Sequence, residues 1–284
     1  MLVSDFGSDY KLLDVSGGMK LESWAGIKLL RPDPVVIWNN KDITKMNYDA
    51  IYHRSNTGGG YWENKNNIPD RWTVKYKNLT FNIKQMGFKH TGLFPEQAVN
   101  WNRMINRIEN SNKKDIKVLN LFAYTGGASV ACLSAGASVV HVDSSKGMND
   151  WAKENVEASG LSDKPIRFLV DDVVKFVERE IRRGNKYDAI IMDPPSYGRG
   201  ANKEVWSIDK DLDNLLVKCK EILNDDFLFV CVNTYSTNLP LLALEDLLKI
   251  HFNNKKIDVQ EIALKVENQD LYLPCGITGW IEND

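Results

Sequence analysis

The sequence predicts an α/β protein: a doubly wound, seven-stranded sheet over residues 89–284, preceded by a small β-rich domain over residues 1–88. Three observations carry this expectation. Helix and strand patterns alternate from Phe94 onward, whereas the chain before it shows no helical periodicity. An apolar run over 117–122 passes straight into Tyr124-Thr125-Gly126-Gly127, and another ends in Asp193-Pro194-Pro195. Alternation of this kind is what parallel strands joined by crossover helices produce.

In the first domain, short strand patterns cover 10–15, 20–23, 26–30, 35–38, 72–76 and 79–84. Turn signals part them, among them Ser16-Gly17-Gly18, Arg31-Pro32-Asp33-Pro34 and Lys77-Asn78. Thr57-Gly58-Gly59-Gly60 and the Asn-rich stretch 64–67 read as a mobile loop, either a plain connection or a flap over a substrate.

A helix over 95–109 opens the second domain and leads to the strand at 117. Then follow a helix at 127–134, a strand at 138–143, a helix at 148–159, a strand at 166–170 and a helix at 173–183. A strand at 187–193, a helix at 209–223, a strand at 227–232 and a helix at 239–251 continue the order. Two late β segments, 257–264 and 271–280, are expected to pair as an antiparallel edge. Ligands of such sheets bind beyond the carboxyl ends of the strands, where strand order reverses. Tyr124 to Gly127, Asp143, Asp171-Asp172 and Asp193 to Tyr197 all fall at such ends.

The residues at those ends suit a nucleoside. Gly126 and Gly127 allow a tight turn past a ligand, and Asp143, closing the next strand, is placed to accept hydrogen bonds from ribose hydroxyls. A nicotinamide site would use the same logic but would more typically show G-x-G-x-x-G; an ordinary strand-to-helix turn is the plain alternative. Asp172 could accept from an adenine amino group or simply cap the helix behind it. Pro194 and Pro195 stiffen their turn and remove two backbone donors, leaving carbonyls and the Asp193 carboxylate as acceptors. Tyr197 offers a ring on which a base could stack. A diproline that merely ends a strand is the bland reading.

Composition is that of an ordinary globular chain: 284 residues, net charge −2, 43% hydrophobic and 26% charged. That balance neither favours nor excludes nucleic acid. No apolar run approaches the roughly 20 residues a membrane span needs, and no signal-peptide layout opens the chain, so a cytoplasmic location is expected. Cys132, Cys219, Cys231 and Cys275 form no C-x-x-C pair, and His53, His90, His141 and His251 have no ligand spacing; reduced thiols and no metal are expected.

The motifs V-L-N-L-F-A-Y-T-G-G, H-V-D-S-S, D-D-V and D-P-P-S-Y, with His90-Thr91-Gly92-Leu93-Phe94-Pro95-Glu96-Gln97, resemble the large-subunit ribosomal RNA base methyltransferases, including the cytosine carbon-5 enzymes. The resemblance covers about residues 88 to 284 and implies a Rossmann-like fold that uses S-adenosylmethionine and releases S-adenosylhomocysteine. It implies RNA, ribosomal RNA in particular, as partner. It puts Tyr124, Thr125, Gly126 and Gly127 around the cofactor's methionine part, Asp143 and Ser144 at the ribose, and Asp172 and Val173 at the adenine. Thr91 and Phe94 join the cofactor side; Asp193, Pro194, Pro195 and Tyr197 form the reacting centre.

Two departures matter. Carbon-5 enzymes of this kind carry a nucleophilic cysteine after the fifth strand, where this chain reads Asn233-Thr234-Tyr235-Ser236. Tyr235 takes that place, and a phenol is a poor substitute for a thiolate. Cys231 reads as core, and Cys275 has no motif behind it. The PUA domain that many relatives carry upstream is missing, so RNA capture would fall to residues 1–88 or to a partner. Direct transfer to a nitrogen is therefore expected. A methyltransferase of protein or small molecules, or a non-catalytic module binding S-adenosylmethionine or RNA, are the alternatives. The acceptor atom and the oligomeric state are not legible.

Overall fold

The computed structural model describes residues 1–55, 58–199, 205–236 and 238–283. They divide into two compact units, one of residues 2–99 with 263–275, the other of Met1, 100–262 and 276–284.

The N-terminal unit begins with β1 (Leu2–Ser4). Its main sheet takes β2 (Tyr10–Ser16), β3 (Met19–Trp24), β4 (Ile27–Pro32), β5 (Ala50–Arg54) and β6 (Gly60–Asn64) in sequential order. All neighbours are antiparallel except β4 and β5. A separate hairpin pairs β7 (Trp72–Tyr76) with β8 (Leu79–Ile83). Trp24, Leu29, Leu30, Phe81 and Ile83 are fully buried here. So is Glu22, held by two hydrogen bonds from Arg31 at 2.6 and 2.8 Å and one from the Tyr10 hydroxyl at 2.8 Å.

Two expectations fail in this unit. Residues 35–38 form no strand; the carbonyls of Val36 and Trp38 accept the N–H groups of Gly18 and Gly17, so the segment caps a turn instead of extending a sheet. Gly60 and Asn64 are not loop but the two ends of β6, and Lys65 and Asn66 are tied to the Asp49 carbonyl. Cross-strand pairing with β5 overrides the weak strand preference of glycine and asparagine there. Thr57 lies outside the described residues.

A short 3-10 turn, Pro95–Gln97, comes at the end of the first stretch of the N-terminal unit, and α1 (Ala98–Glu109) follows it. Next come β9 (Lys117–Leu121), α2 (Gly127–Ser134), β10 (Ser138–Asp143), α3 (Lys146–Ala158), β11 (Ile166–Val170) and α4 (Val173–Arg183). β12 (Ala189–Met192), β13 (Tyr197–Arg199), β14 (Val205–Ser207), α5 (Ile208–Glu221), β15 (Phe229–Thr234) and α6 (Leu241–His251) follow. β16 (Lys256–Lys265) and β17 (Tyr272–Glu282) close the chain. Seven of these strands are ordered β16-β17-β15-β12-β9-β10-β11. β9 pairs in parallel with both β10 and β12, and β17 runs antiparallel to β15. β12 and β15 are buried along their whole length, as strands covered on both faces must be.

After β9 the chain builds outward through β10 to β11, then returns to the other side for β12. The strand order therefore reverses between β9 and β12, whose last residues Leu121 and Met192 are register partners. The loops leaving these two strands stand side by side. The β13–β14 hairpin, with Tyr197 opposite Ser207 and Gly198 opposite Trp206, has no counterpart in the sequence expectation. Three-residue strands are too short to show a period.

Candidate active site

The loop after β9 carries unusual backbone geometry. Phe122, Tyr124 and Gly126 all have positive φ, at 54°, 52° and 84°. Two of the three bear side chains, and a left-handed residue with a side chain persists only where its surroundings over-determine it. Hydrogen bonds supply that constraint. The Tyr124 N–H donates to Asp143 Oδ2 at 2.8 Å, and Asn155 Nδ2, from α3, donates to the Thr125 carbonyl at 2.8 Å. Gly126 then takes the cap position of α2.

The two glycines are demanded by the protein itself. A Cβ on Gly126 would stand 2.9 Å from Ala152 Cβ, and one on Gly127 would stand 2.6 Å from Trp101 Cζ2. Close packing against Ala152 and Trp101 is a demand on both positions in addition to the expected approach to a ligand.

Asp143 closes β10. Its other oxygen, Oδ1, accepts the Ser145 N–H at 2.8 Å, so each oxygen takes one backbone donor and keeps a second lone pair. Burial pushes the carboxyl above its usual range, and the two backbone N–H groups pull the other way. Asn149, which the sequence reading missed, donates to the Asp143 carbonyl at 3.0 Å and sets the strand end against α3. Ser144 follows Asp143 directly.

Asp172 is the N-cap of α4; its Oδ1 accepts the Lys175 N–H at 2.9 Å. The other oxygen remains for a ligand. Val173 is buried in the core, while Asp171 is engaged by Arg179. The Asp171 N–H donates to the Asp143 carbonyl at 3.1 Å, which places the β10 and β11 ends together.

Asp193 leaves β12, its N–H directed at the Leu121 carbonyl 3.4 Å away. Pro194 is buried, while Pro195, Ser196 and Tyr197 are exposed, Tyr197 at 56%. The corner is held by Trp206, a residue sequence reasoning did not single out. Its Nε1 donates to the Pro195 carbonyl at 2.7 Å, and its ring lies 4.9 Å from that of Phe122. One indole thus joins the diproline corner to the loop after β9. An indole N–H finds a partner when its ring packs, so a tryptophan eleven residues past a diproline is the signal that could have been read.

Thr91 and Phe94 belong to the N-terminal unit, not to the one that holds these loops. Thr91 is fully buried there with its Oγ1 unpartnered, and the Phe94 ring meets His90 edge-on at 5.5 Å. Tyr235 follows β15 and is half-buried. Burial pushes the Cys231 thiol up to about 12, with the Asp193 charge adding to the effect, and lifts Cys275 well above its ordinary value. Neither supplies a thiolate near neutral pH. Among the described residues no group of three or more His, Cys, Asp or Glu is placed to hold a metal ion.

An acidic side chain at the end of β10, a tight loop after β9 and a rigid acceptor-rich corner after β12 meet at the strand-order reversal. Residues 17–256 match the family described as S-adenosylmethionine-dependent methyltransferase. The chain belongs to that family. Its cofactor is S-adenosylmethionine. A crystal structure of an S-adenosylmethionine-dependent methyltransferase from Agrobacterium tumefaciens is 34% identical, with a TM-score of 0.94 over all of this chain and 93% of that one. A methyltransferase structure from Streptococcus mutans shares the fold at a TM-score of 0.76 and 21% identity, over 98% of this chain and 76% of that one. In sequence, the ribosomal RNA large subunit methyltransferase K/L of a Shewanella species (strain MR-4) is 31% identical over 206 residues, 71% of this chain and 26% of that protein. The chain thus spans about a quarter of the length of the curated relatives it matches.

The residues at the reversal fit this cofactor in their donor set. Asp143 keeps a lone pair on each carboxylate oxygen, Asp172 keeps one carboxylate oxygen, and Tyr124 to Gly127 form a fixed turn, acceptors of the kind a nucleoside's hydroxyl and amino groups need. The cofactor supplies an activated methyl group bonded to sulfur, and the protein has to hold and orient.

Proposed function

We propose that this chain transfers a methyl group from S-adenosylmethionine to a nitrogen of an RNA base, with ribosomal RNA as the substrate class. The observation that carries the reading is the Asp193-Pro194-Pro195 corner, held by Trp206 beside the loop after β9. Acceptors without competing donors suit a base amino group, and a ring such as that of Tyr197 suits its flat face.

On this reading Tyr124 to Gly127 and Ser144 flank the cofactor, Asp143 takes its ribose hydroxyls, and Asp172 with Val173 borders the adenine. Asp193 and the carbonyls of Pro194 and Pro195 accept from the substrate amine, turning its lone pair toward the methyl group. The new bond forms between nitrogen and the methyl carbon as the carbon–sulfur bond breaks, and the amine proton passes to Asp193 or to water. S-adenosylhomocysteine leaves. Positioning of this kind contributes roughly 7–11 kcal/mol of the barrier. No covalent enzyme–base bond is needed, which agrees with the burial of Cys231 and with the raised thiols of Cys231 and Cys275.

The relatives named as ribosomal RNA methyltransferases support RNA as the substrate. The N-terminal unit is the proposed RNA contact. It exposes Tyr61 and Phe88, along with the cations Arg54 and Lys75, a mixture suited to unpaired bases and phosphates. Among the described residues no helix is long and apolar enough to cross a membrane.

The test is mass mapping of modified nucleosides in ribosomal RNA from cells lacking the protein, followed by restoration of the mark in vitro with purified protein and labelled S-adenosylmethionine. A lost and restored N-methyl mark is expected. Transfer to free metabolites or to protein with none to stripped ribosomal RNA overturns the substrate. A carbon-5 mark overturns the nitrogen assignment.

A further inference from the structure

A line of buried polar side chains lies beneath the loop after β9, and the transfer as described does not use it. Asn120 is on β9, Ser129 on α2 and His141 on β10; none is exposed by more than 3%. Asn120 Nδ2 donates to Ser129 Oγ at 2.9 Å, and Ser129 Oγ stands 2.9 Å from His141 Nδ1. The His141 ring sits directly under the turn, its Cε1 3.5 Å from where a Gly126 Cβ would be.

Counting protons favours one direction for these bonds. A hydroxyl carries one proton, and the Asn120 amide donates into a lone pair of Ser129, so the Ser129 proton is free to go to His141 Nδ1. Nδ1 is then the acceptor of the imidazole. Burial lowers the ring's pKa to about 3, so it stays neutral and its single proton resides on Nε2. Nε2 is itself buried and has no partner within ordinary hydrogen-bonding geometry, while the Tyr124 backbone is the group that acts on it. A buried N–H in that position suits the Tyr124 backbone carbonyl as its acceptor, because leaving that N–H unsatisfied is costly. Tyr124 is the residue that holds a positive φ and gives its own N–H to Asp143.

We propose that Asn120, Ser129 and His141 are positioning residues for cofactor binding: their one-way hydrogen bonds hold the proton on His141 Nε2, and that N–H keeps the Tyr124 to Gly126 turn in its cofactor-accepting shape. The proposal rests on the reading that this turn borders the cofactor. A purely packing role would be served as well by apolar side chains of similar volume, with no requirement on bond direction.

Bond direction makes the idea testable by a near-isosteric change. In Asn120→Asp the carboxylate can only accept, takes the Ser129 proton, and forces His141 to donate through Nδ1. Nε2 then turns a lone pair toward the Tyr124 carbonyl. Long-range proton–nitrogen NMR on full-length, 15N-labelled protein reads the tautomer, and calorimetry reads the affinity for S-adenosylhomocysteine. The wild type is expected to show the Nε2–H tautomer, and Asn120→Asp the Nδ1–H tautomer with affinity lowered by about tenfold. Ser129→Ala, which removes the donor to Nδ1 without adding a charge, is expected to weaken binding similarly. Its loss should appear in KM for the cofactor rather than in kcat.

An Nδ1–H tautomer in the wild type overturns the proposal, as does unchanged affinity in Ser129→Ala. Should Asn120→Asp fail to fold, the Ser129→Ala affinity and the wild-type tautomer decide alone. A wild type that binds no S-adenosylhomocysteine at all refutes the cofactor site itself, which is a different failure.

Discussion

Asp143 accepts the Tyr124 backbone N–H through one carboxylate oxygen at 2.8 Å, so the end of β10 fixes the loop that leaves β9. The other oxygen holds the Ser145 N–H at the same distance. One side chain therefore shapes the loop and, in the proposed function, offers lone pairs to a ribose.

Removing it should damage both functions. Asp143→Ala is expected to weaken S-adenosylhomocysteine binding by at least tenfold, since hydrogen bonds to a charged group are worth about 1.5–3 kcal/mol each. Calorimetry checks this, and an unchanged affinity rejects the site assignment. The pH dependence has a definite sign. Burial raises the folded-state pKa of Asp143, so the carboxylate is lost at a pH above that of an ordinary aspartate. Affinity should therefore fall on acidification before exposed carboxylates titrate, and Asp143→Asn should flatten that fall.

Trp206 ties the diproline corner down through its Nε1 bond to the Pro195 carbonyl. Trp206→Phe keeps a ring against Phe122 and loses the bond, worth about 1 kcal/mol. A several-fold drop in kcat with little change in cofactor affinity is the expected result. Equal kcat in steady-state assays would detach the corner from the chemistry.

At Gly127 the constraint is volume. Because an added Cβ would come within 2.6 Å of the Trp101 ring, Gly127→Ala must displace α1 or α2. Overpacking of this kind typically costs 1–3 kcal/mol. Urea titration should show that loss, and Trp101→Leu in the same chain should recover part of it by making room.

Glu22 governs the acid stability of the N-terminal unit. Burial alone would raise its carboxyl, but Arg31 and Lys20 outweigh that and hold it at about 2. A folded-state pKa below the unfolded value means the contribution is present above about 4.5 and is lost as pH falls through about 2. Glu22→Gln leaves Arg31 buried without its counter-charge and should cost about 3–5 kcal/mol at pH 7. The gap between variant and wild type in denaturant midpoints should close as the pH falls toward 2.

Cysteine chemistry gives the last prediction. With the Cys275 thiol pushed well above its ordinary value, Cys275→Ser should leave methyl transfer to RNA intact. RNA containing 5-fluorocytidine should form no covalent adduct on a denaturing gel. A trapped adduct would restore carbon-5 chemistry.

Several parts of the site were legible along the chain because each is local. The apolar run of β9 with the glycine pair behind it, Asp143 at the end of β10, and Asp193-Pro194-Pro195 after β12 are contiguous signals, and the fold places all of them at one reversal point. Asp172 shows both sides of a local reading: its capping bond to Lys175 is real, and a free oxygen remains. Asn155 and Asn149 were illegible because each acts on a backbone group of another element, chosen by packing and not by spacing, and Trp206 left only the faint signal of an indole following a diproline. His141 reads as an ordinary core histidine on its strand; only its neighbours Ser129 and Asn120 give it a direction.

By itself, the sequence determined the alternation of strands and helices, the helix caps and the chemical types available at the strand ends, since these depend on neighbours within a few residues. Only the tertiary structure decided that 60–64 is a strand and 35–38 is not, and that residues 263–275 cluster with the N-terminal unit. It also decided that an indole from β14 holds the corner after β12. Those outcomes turn on which distant groups satisfy one another's hydrogen bonds and volume, a competition that is settled when the chain closes on itself.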